Sequence, residues 1–178
     1  EFDSPRLDGG GASRERIGVY LQDEWRIHPA FRLAPGLRLD VQDGGDPQPA
    51  PRIALRWDPV RTLVLRGSYG WAWRAPSFQE MLLRFENPAS GYVVHGNPDL
   101  RPETTRGATL GAEWKPARPL ALSLHLFRQS VDDLIAVGTL REPSAGAPRL
   151  FGYVNVDRAL TMGSELTATV RPIAGLEQ

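Results

Sequence analysis

Few residues of this 178-residue chain are equipped for chemistry: the histidines His28, His95 and His125, and the adjacent acids Asp132 and Asp133. The histidines fall at no HExxH or other metal-ligand spacing. Asp132 and Asp133 could take a cation, but neighbouring acids at a strand end are ordinarily solvated. There is no GxSxG elbow, Walker loop or GxGxxG, and Gly9-Gly10-Gly11 precedes no helical pattern and reads as loop. The absence of cysteine removes a disulfide framework, a thiolate metal centre and a Cys nucleophile. No catalytic constellation is left, so neither an enzyme nor a resident metal or cofactor is expected.

A different kind of information sits between residues 73 and 103. Two compact boxes, Trp73-Arg74-Ala75-Pro76-Ser77-Phe78 and Gly96-Asn97-Pro98-Asp99-Leu100-Arg101-Pro102-Glu103, flank a stretch of mixed polarity. The prolines cannot donate to a sheet ladder and bias Ala75, Asn97 and Arg101 away from the helical basin. Gly-Asn and Asn-Pro are turn chemistry. Both boxes therefore read as extended segments where one strand ends and the next begins, with an excursion between them.

Elements with period-two patterning must position these boxes. Ile17, Val19, Leu21, Trp25 and Ile27 oppose Arg16, Tyr20, Gln22, Glu24 and Arg26, and Phe31 to Gln42 alternates in the same way. Ile53-Leu55-Trp57, Leu63-Leu65-Tyr69-Trp71, Ala108-Leu110-Ala112-Trp114, Leu120-Leu122-Leu124-Leu126 and Leu166-Ala168-Val170 continue the series. That gives about seven strands and no convincing helical period. Asp23 on an apolar face and Phe127 on a polar one depart from the pattern, and a bulge or a position beyond the apolar band would absorb either. Short connections at residues 28–30, 58–61 and 115–119 alternate with long ones at about 43–50, 76–102 and 136–150. Tight turns at one end and long loops at the other are what outer-membrane barrels display.

The formal net charge is zero, which gives no electrostatic case for nucleic acid. No apolar run is long enough for a membrane helix, but a barrel strand needs none. Trp25, Trp57 and Trp114 each precede a turn proline and continue the apolar face of their strand. Indole favours the membrane interface, so the three read as one aromatic girdle. The opposite faces carry Arg32, Arg38, Asp40, Arg52, Arg56, Asp58, Arg66 and Glu113, too charged for a dry core and suited to a wet barrel interior. The expected fold is all-β: part of an antiparallel transmembrane barrel of the outer-membrane type. No leader peptide is visible, and the strand organisation favours a piece of a longer precursor over a cytoplasmic protein.

The two boxes resemble the paired FRAP and NPxL-type boxes of TonB-dependent outer-membrane receptors, with Trp73 where that family usually has Phe. Pro35-Gly36-Leu37-Arg38-Leu39-Asp40 is similar to the family's P-G-x-R-x-D strand, and Tyr153-Val154-Asn155-Val156 and Gly163-Ser164-Glu165 follow in the usual order. The resemblance implies a plugged barrel of roughly 22 strands, of which residues 1–178 supply about seven, without plug, TonB box or closing strands. It further implies a monomeric receptor in the cell outer membrane. That receptor would take up a scarce ligand, most often a ferric siderophore and sometimes cobalamin or haem, energised by TonB and its inner-membrane partners. Arg84, Glu86, Tyr92 and His95, between the boxes, are the expected loop contacts, since Arg and Tyr suit a polar aromatic chelate. His95 also lies where haem-uptake members carry a haem-ligating histidine. An open seven-stranded sheet is expected not to function alone.

Two rivals stay open. A passive porin or adhesin-type translocator would conduct without TonB. A soluble β-sandwich binding module would pack its apolar faces on each other and stay in solution without detergent.

Overall fold

The computed structural model describes residues 2–3, 11–43, 45–144 and 147–171. Strands β1 (Phe2–Asp3) and β2 (Gly11–Ala12) form a small ladder of their own. The main sheet begins with β3 (Arg16–Gln22) and β4 (Trp25–His28), both paired to β5 (Phe31–Gln42). It continues through β6 (Gln48–Val60) and β7 (Leu63–Arg74). A loop excursion follows: helix α1 (Phe78–Leu82), then β8 (Arg84–Asn87) and β9 (Tyr92–His95), joined through a 3-10 turn. The long strands resume with β10 (Glu103–Ala117), β11 (Leu120–Arg141) and β12 (Arg149–Val170). The order is β3-β5-β6-β7-β10-β11-β12-β9-β8, every ladder antiparallel except β12 with β9, and the sheet is not closed among the described residues.

All seven expected strands are present, and two run far past the stretches expected for them. β11 and β12 run 22 residues each, well past Phe127 and well before Glu165, so the long connection shrinks to residues 142–148. Above the membrane both faces of a strand meet water, so the ladder continues after the apolar alternation that reveals it has stopped. The two pattern breaks need no bulge. β3 and β4 keep one register against β5, and the gap at Asp23-Glu24 lies opposite Pro35, which has no N–H to give. Asp23 Oδ2 accepts from the indole of Trp25 at 2.7 Å. Phe127 stays in register opposite Gly163, and its ring occupies the space that a Cβ there would need.

The apolar rows face away from the rest of the protein. Trp25, Trp57 and Trp114 are about half exposed on that face, each one to three residues before a one-residue register shift at a short turn. Pro59 and Pro116 sit in those shifts, where no ladder N–H is required. A second aromatic border, not foreseen from the sequence, lies toward the loops: Trp71 donates to the hydroxyl of Tyr69 at 3.1 Å. From Leu63 to Trp71 the strand rises roughly 26 Å, which a strand tilt of about 40° reduces to about 20 Å, most of the roughly 25 Å apolar band of barrels.

The opposite face is polar and largely paired. Asp40, fully buried, accepts from Arg38 at 2.8 Å, Arg16 at 3.2 Å and the Trp73 indole at 3.3 Å. Arg56 pairs with Asp58, while Arg66 and Lys115 share Glu113. Trp73 reaches Asp40 because β7 leaves β6 above the Arg52–Gly70 pair, where Pro51 and Pro49 cannot donate.

Candidate functional site

The two boxes meet at the loop end of the sheet. Glu103, the first residue of β10, lies directly opposite Arg74, the last of β7. Its carboxylate accepts two bonds from that guanidinium, at 2.7 and 2.8 Å, and one from the Ile135 N–H at 2.7 Å. Arg74 also donates twice to Glu80 on α1, at 2.9 and 3.0 Å. These groups lie beyond the outer aromatic border. Arg74, chiefly through its bond to Glu103, holds that carboxyl below the usual glutamate range, and its own pKa is raised in return. Burial opposes ionisation of Glu80, but Arg74 and the Ser77 N–H outweigh it, so this pKa is lowered too.

Helix α1 was missed at the sequence level because five residues cannot show a helical period. Its signal was present as Ser77-Phe78-Gln79-Glu80, a capping box. The Ser77 hydroxyl accepts from the Glu80 N–H at 3.2 Å, and the Glu80 carboxylate accepts from the Ser77 N–H at 2.6 Å. The box beginning at Trp73 is therefore extended only up to the cap. Arg14 lies over the Phe78 ring and donates to the carbonyl of Pro76.

The second box docks beneath α1. Gly96 donates to Leu83 and Asn97 to Glu80, so closely that a Cβ at Gly96 would stand 2.5 Å from the backbone of Met81. Asn97 caps its own turn by accepting from Asp99 and donates to the Tyr153 carbonyl. Asn155 accepts from the Arg101 N–H and donates to the carbonyls of Arg101 and Asp133. Leu100 and Ile135, the buried apolar residues among those described, both belong to this junction. Pro98, Asp99 and Pro102 remain exposed. Asn155 had no signal in the sequence marking it as a clamp, since its partners are distant in the chain.

Between the boxes, β8 and β9 form a hairpin whose second strand adds in parallel to β12. Arg84 lies opposite His95, and Glu86 shares their face by alternation; all three are exposed. Tyr92 belongs to the other face, with its ring centroid 6.0 Å from those of both Phe85 and Phe151. The four expected contacts are thus brought to one hairpin but divided between its faces. Asp132 and Asp133 are each held by an arginine, Arg158 at 2.8 Å and Arg101 at 2.6 Å.

An open-edged antiparallel sheet with apolar rows outside, paired charges inside and loops gathered at one end defines an outer-membrane barrel segment. The family model described as TonB dependent receptor-like, beta-barrel matches residues 2–176, and the chain belongs to that family. Among curated relatives, the iron-regulated outer membrane virulence protein of Vibrio cholerae is 31% identical over 157 residues, covering 85% of this chain and 24% of that protein. The heme/hemopexin utilization protein C of Haemophilus influenzae is 30% identical over 190 residues, covering 92% and 26%. The solved siderophore receptor PirA from Pseudomonas aeruginosa superposes with a TM-score of 0.79 at 20% identity, covering 92% of this chain and 33% of its own. The chain thus spans about a quarter of the length of the curated relatives it matches. The family is one of transport receptors rather than enzymes, and the fold is that of the Gram-negative outer membrane.

Proposed function

We propose that residues 1–178 are part of the barrel domain of a TonB-energised uptake receptor whose cargo is a ferric siderophore. The observation that carries this reading is the β8–β9 hairpin: a charged exposed face of Arg84, Glu86 and His95 on a rim flanked by both boxes. Arginine offers a ferric chelate charge and directed donors, and the neighbouring Tyr92, Phe85 and Phe151 offer aromatic surface. The plug and remaining strands would come from the rest of the intact protein. Periplasmic TonB, with its inner-membrane energising complex, would pull on that plug to open a path. The receptor would act as a monomer in outer-membrane lipid, bind no nucleic acid and do no covalent chemistry.

The test is growth of a deletion strain under iron limitation on single purified siderophores, with and without the intact gene. Growth restored on one siderophore only in a TonB-positive background is expected. Conductance without TonB and rescue by no siderophore would assign the chain to a passive barrel instead. A second cargo is favoured by one position, His95, exposed opposite Arg84, because imidazole is a good axial ligand for haem iron. A relative named for heme utilization points the same way. His95→Ala would then abolish growth on haem and leave siderophore-dependent growth intact. Unchanged growth on haem removes this second reading.

A further inference from the structure

Below the rim, the polar side of the wall sets arginines among residues too small to cover them. On β5 that side runs from Arg38 to Arg32 through Gly36 and Ala34, roughly 20 Å of strand. On β6 it carries Arg52 and Arg56, with Ala54 between them. The two series interleave, because the register places Arg52 opposite Gly36 and Arg56 opposite Arg32. Toward the turn end Arg32, Arg56 and Arg66 stand directly opposite one another across three strands. Like charges in that register repel. Arg56 is steadied by Asp58 and Arg66 by Glu113, while the buried Nε of Arg32 has no acceptor among the described residues.

The loop-side end of this series is a depression of about 400 Å3, lined by Tyr20, Arg38 and Arg52 over Gly36, Ala50 and Ala72. That volume suits a small molecule rather than a single side chain. Arg38 commits its Nε and one Nη to Asp40, which also accepts from Arg16. Arg52 is different: it is exposed, and among the described residues it has no carboxylate partner. Its stem is confined between two bare positions. A Cβ at Gly36 would stand 3.1 Å from its Cγ, and one at Gly70 would stand 3.2 Å from its Cβ. The guanidinium is thus carried on a hemmed stem with its donors free. Tyr20, 79% exposed, adds a ring and a hydroxyl to the same depression.

We propose that the depression around Arg52 is a station for an anionic cargo on its way down the lumen wall, with the Arg32–Arg56–Arg66 row as the next cations below it. A guanidinium edge matches the oxygens of a carboxylate or catecholate chelate, and the small floor lets the chelate approach the sheet. The inference rests on the uptake reading and deepens it, because it commits the cargo to net negative charge. The station is separate from the β8–β9 hairpin. Five ladders lie between β6 and β9, roughly 24 Å along the sheet.

The experiment uses the intact receptor in a deletion strain with two radioiron probes, a trianionic ferric tris-catecholate and a neutral ferric tris-hydroxamate. TonB-dependent uptake of the anionic chelate, and not of the neutral one, is expected from the parent receptor. In Arg52→Gln the maximal uptake rate should fall about tenfold, as for loss of one charge-assisted contact. The half-saturating concentration, set at the rim, should stay within about twofold. Arg52→Lys keeps the charge and should recover most of the rate. Heat-modifiable migration reads the amount of folded receptor in each case. The proposal is overturned if Arg52→Gln keeps the parent rate, or if the parent takes up only the neutral chelate. It is also overturned if half-saturation rises as much as the rate falls, which would make Arg52 part of the rim. Entry without TonB in Arg52→Gln alone would overturn it too, since Arg52 would then be holding another part of the intact chain. A parent receptor that accumulates neither chelate with TonB present fails the uptake reading itself, and the proposal with it.

Discussion

Leu110, in the middle of the apolar band, is 60% exposed, whereas Leu100, between the two boxes, is 8% exposed. The first belongs to an outward row that its neighbours cover only in part, and the rest of its burial is supplied by lipid. The second belongs to a junction that α1, β9, β11 and β12 assemble for themselves. The wall of this barrel is therefore stabilised by its solvent and its strand-to-strand hydrogen-bond ladders, as backbone in hydrocarbon must be. The rim is stabilised as a small soluble core is, by packing around satisfied charges. Substitutions should thus have opposite logic at the two places in the intact receptor.

The largest effect is expected from placing charge on the exposed residue. Leu110→Arg should destabilise the intact barrel by about 2–4 kcal/mol, the range for arginine on a lipid face near the midplane. Thr109→Arg, one residue away on the lumen side, should be nearly neutral. Folded fraction against urea in lipid vesicles, read by heat-modifiable gel migration, checks both. Equal costs at 109 and 110 would mean that the apolar row does not face lipid.

Glu103→Ala tests the rim. It leaves the Ile135 N–H buried without an acceptor and Arg74 paired with Glu80 alone, which should cost about 1–3 kcal/mol. Glu103→Gln keeps the acceptor for Ile135 and should recover part of that loss. The expected readout is local: proteolysis within residues 76–102 accelerates while the barrel itself still migrates as folded. Loss of the whole barrel instead would show that rim and wall are one cooperative unit.

Acid should weaken the same junction without substitution. Glu103 and Glu80 have lowered pKa values in the folded state. Their contribution is fully present above the unfolded glutamate value of about 4.3 and is lost as pH falls through the folded values. Loop proteolysis by an acid-active protease should therefore be flat from pH 7 to about 5 and rise below about 4. Glu103→Gln should flatten that rise. A pH-independent rate in the parent protein would remove the two carboxylates from the account.

How much of this was legible in the sequence follows the same division. Lipid imposes period two on every residue it touches, so the rows through Leu65, Leu110 and Leu124, the tryptophan girdle and the short turns could be read directly. Proline marked both boxes. Above the membrane the period vanishes because both faces are wet, and with it the upper halves of β11 and β12. Asn155 clamping Arg101 and Asp133, and the division of Tyr92 from Arg84, Glu86 and His95, are products of register between distant segments. Helix α1 lay between these cases, written in its cap rather than in its period.

That cap offers the smallest and most selective perturbation. Ser77 supplies the acceptor for the Glu80 N–H, and its own N–H holds the carboxylate that Arg74 also grips. Ser77→Ala removes the first interaction and keeps the second, so the expected loss is about 1 kcal/mol, confined to α1. Because Gly96 and Asn97 donate to carbonyls of the α1 segment, fraying there should also loosen the second box. Hydrogen exchange at Gly96 and Asn97 should then rise severalfold, with β10 and β11 amides inside the apolar band unchanged. Faster exchange inside the band as well would mean that a single cap couples rim to wall, and would dissolve the contrast between Leu100 and Leu110.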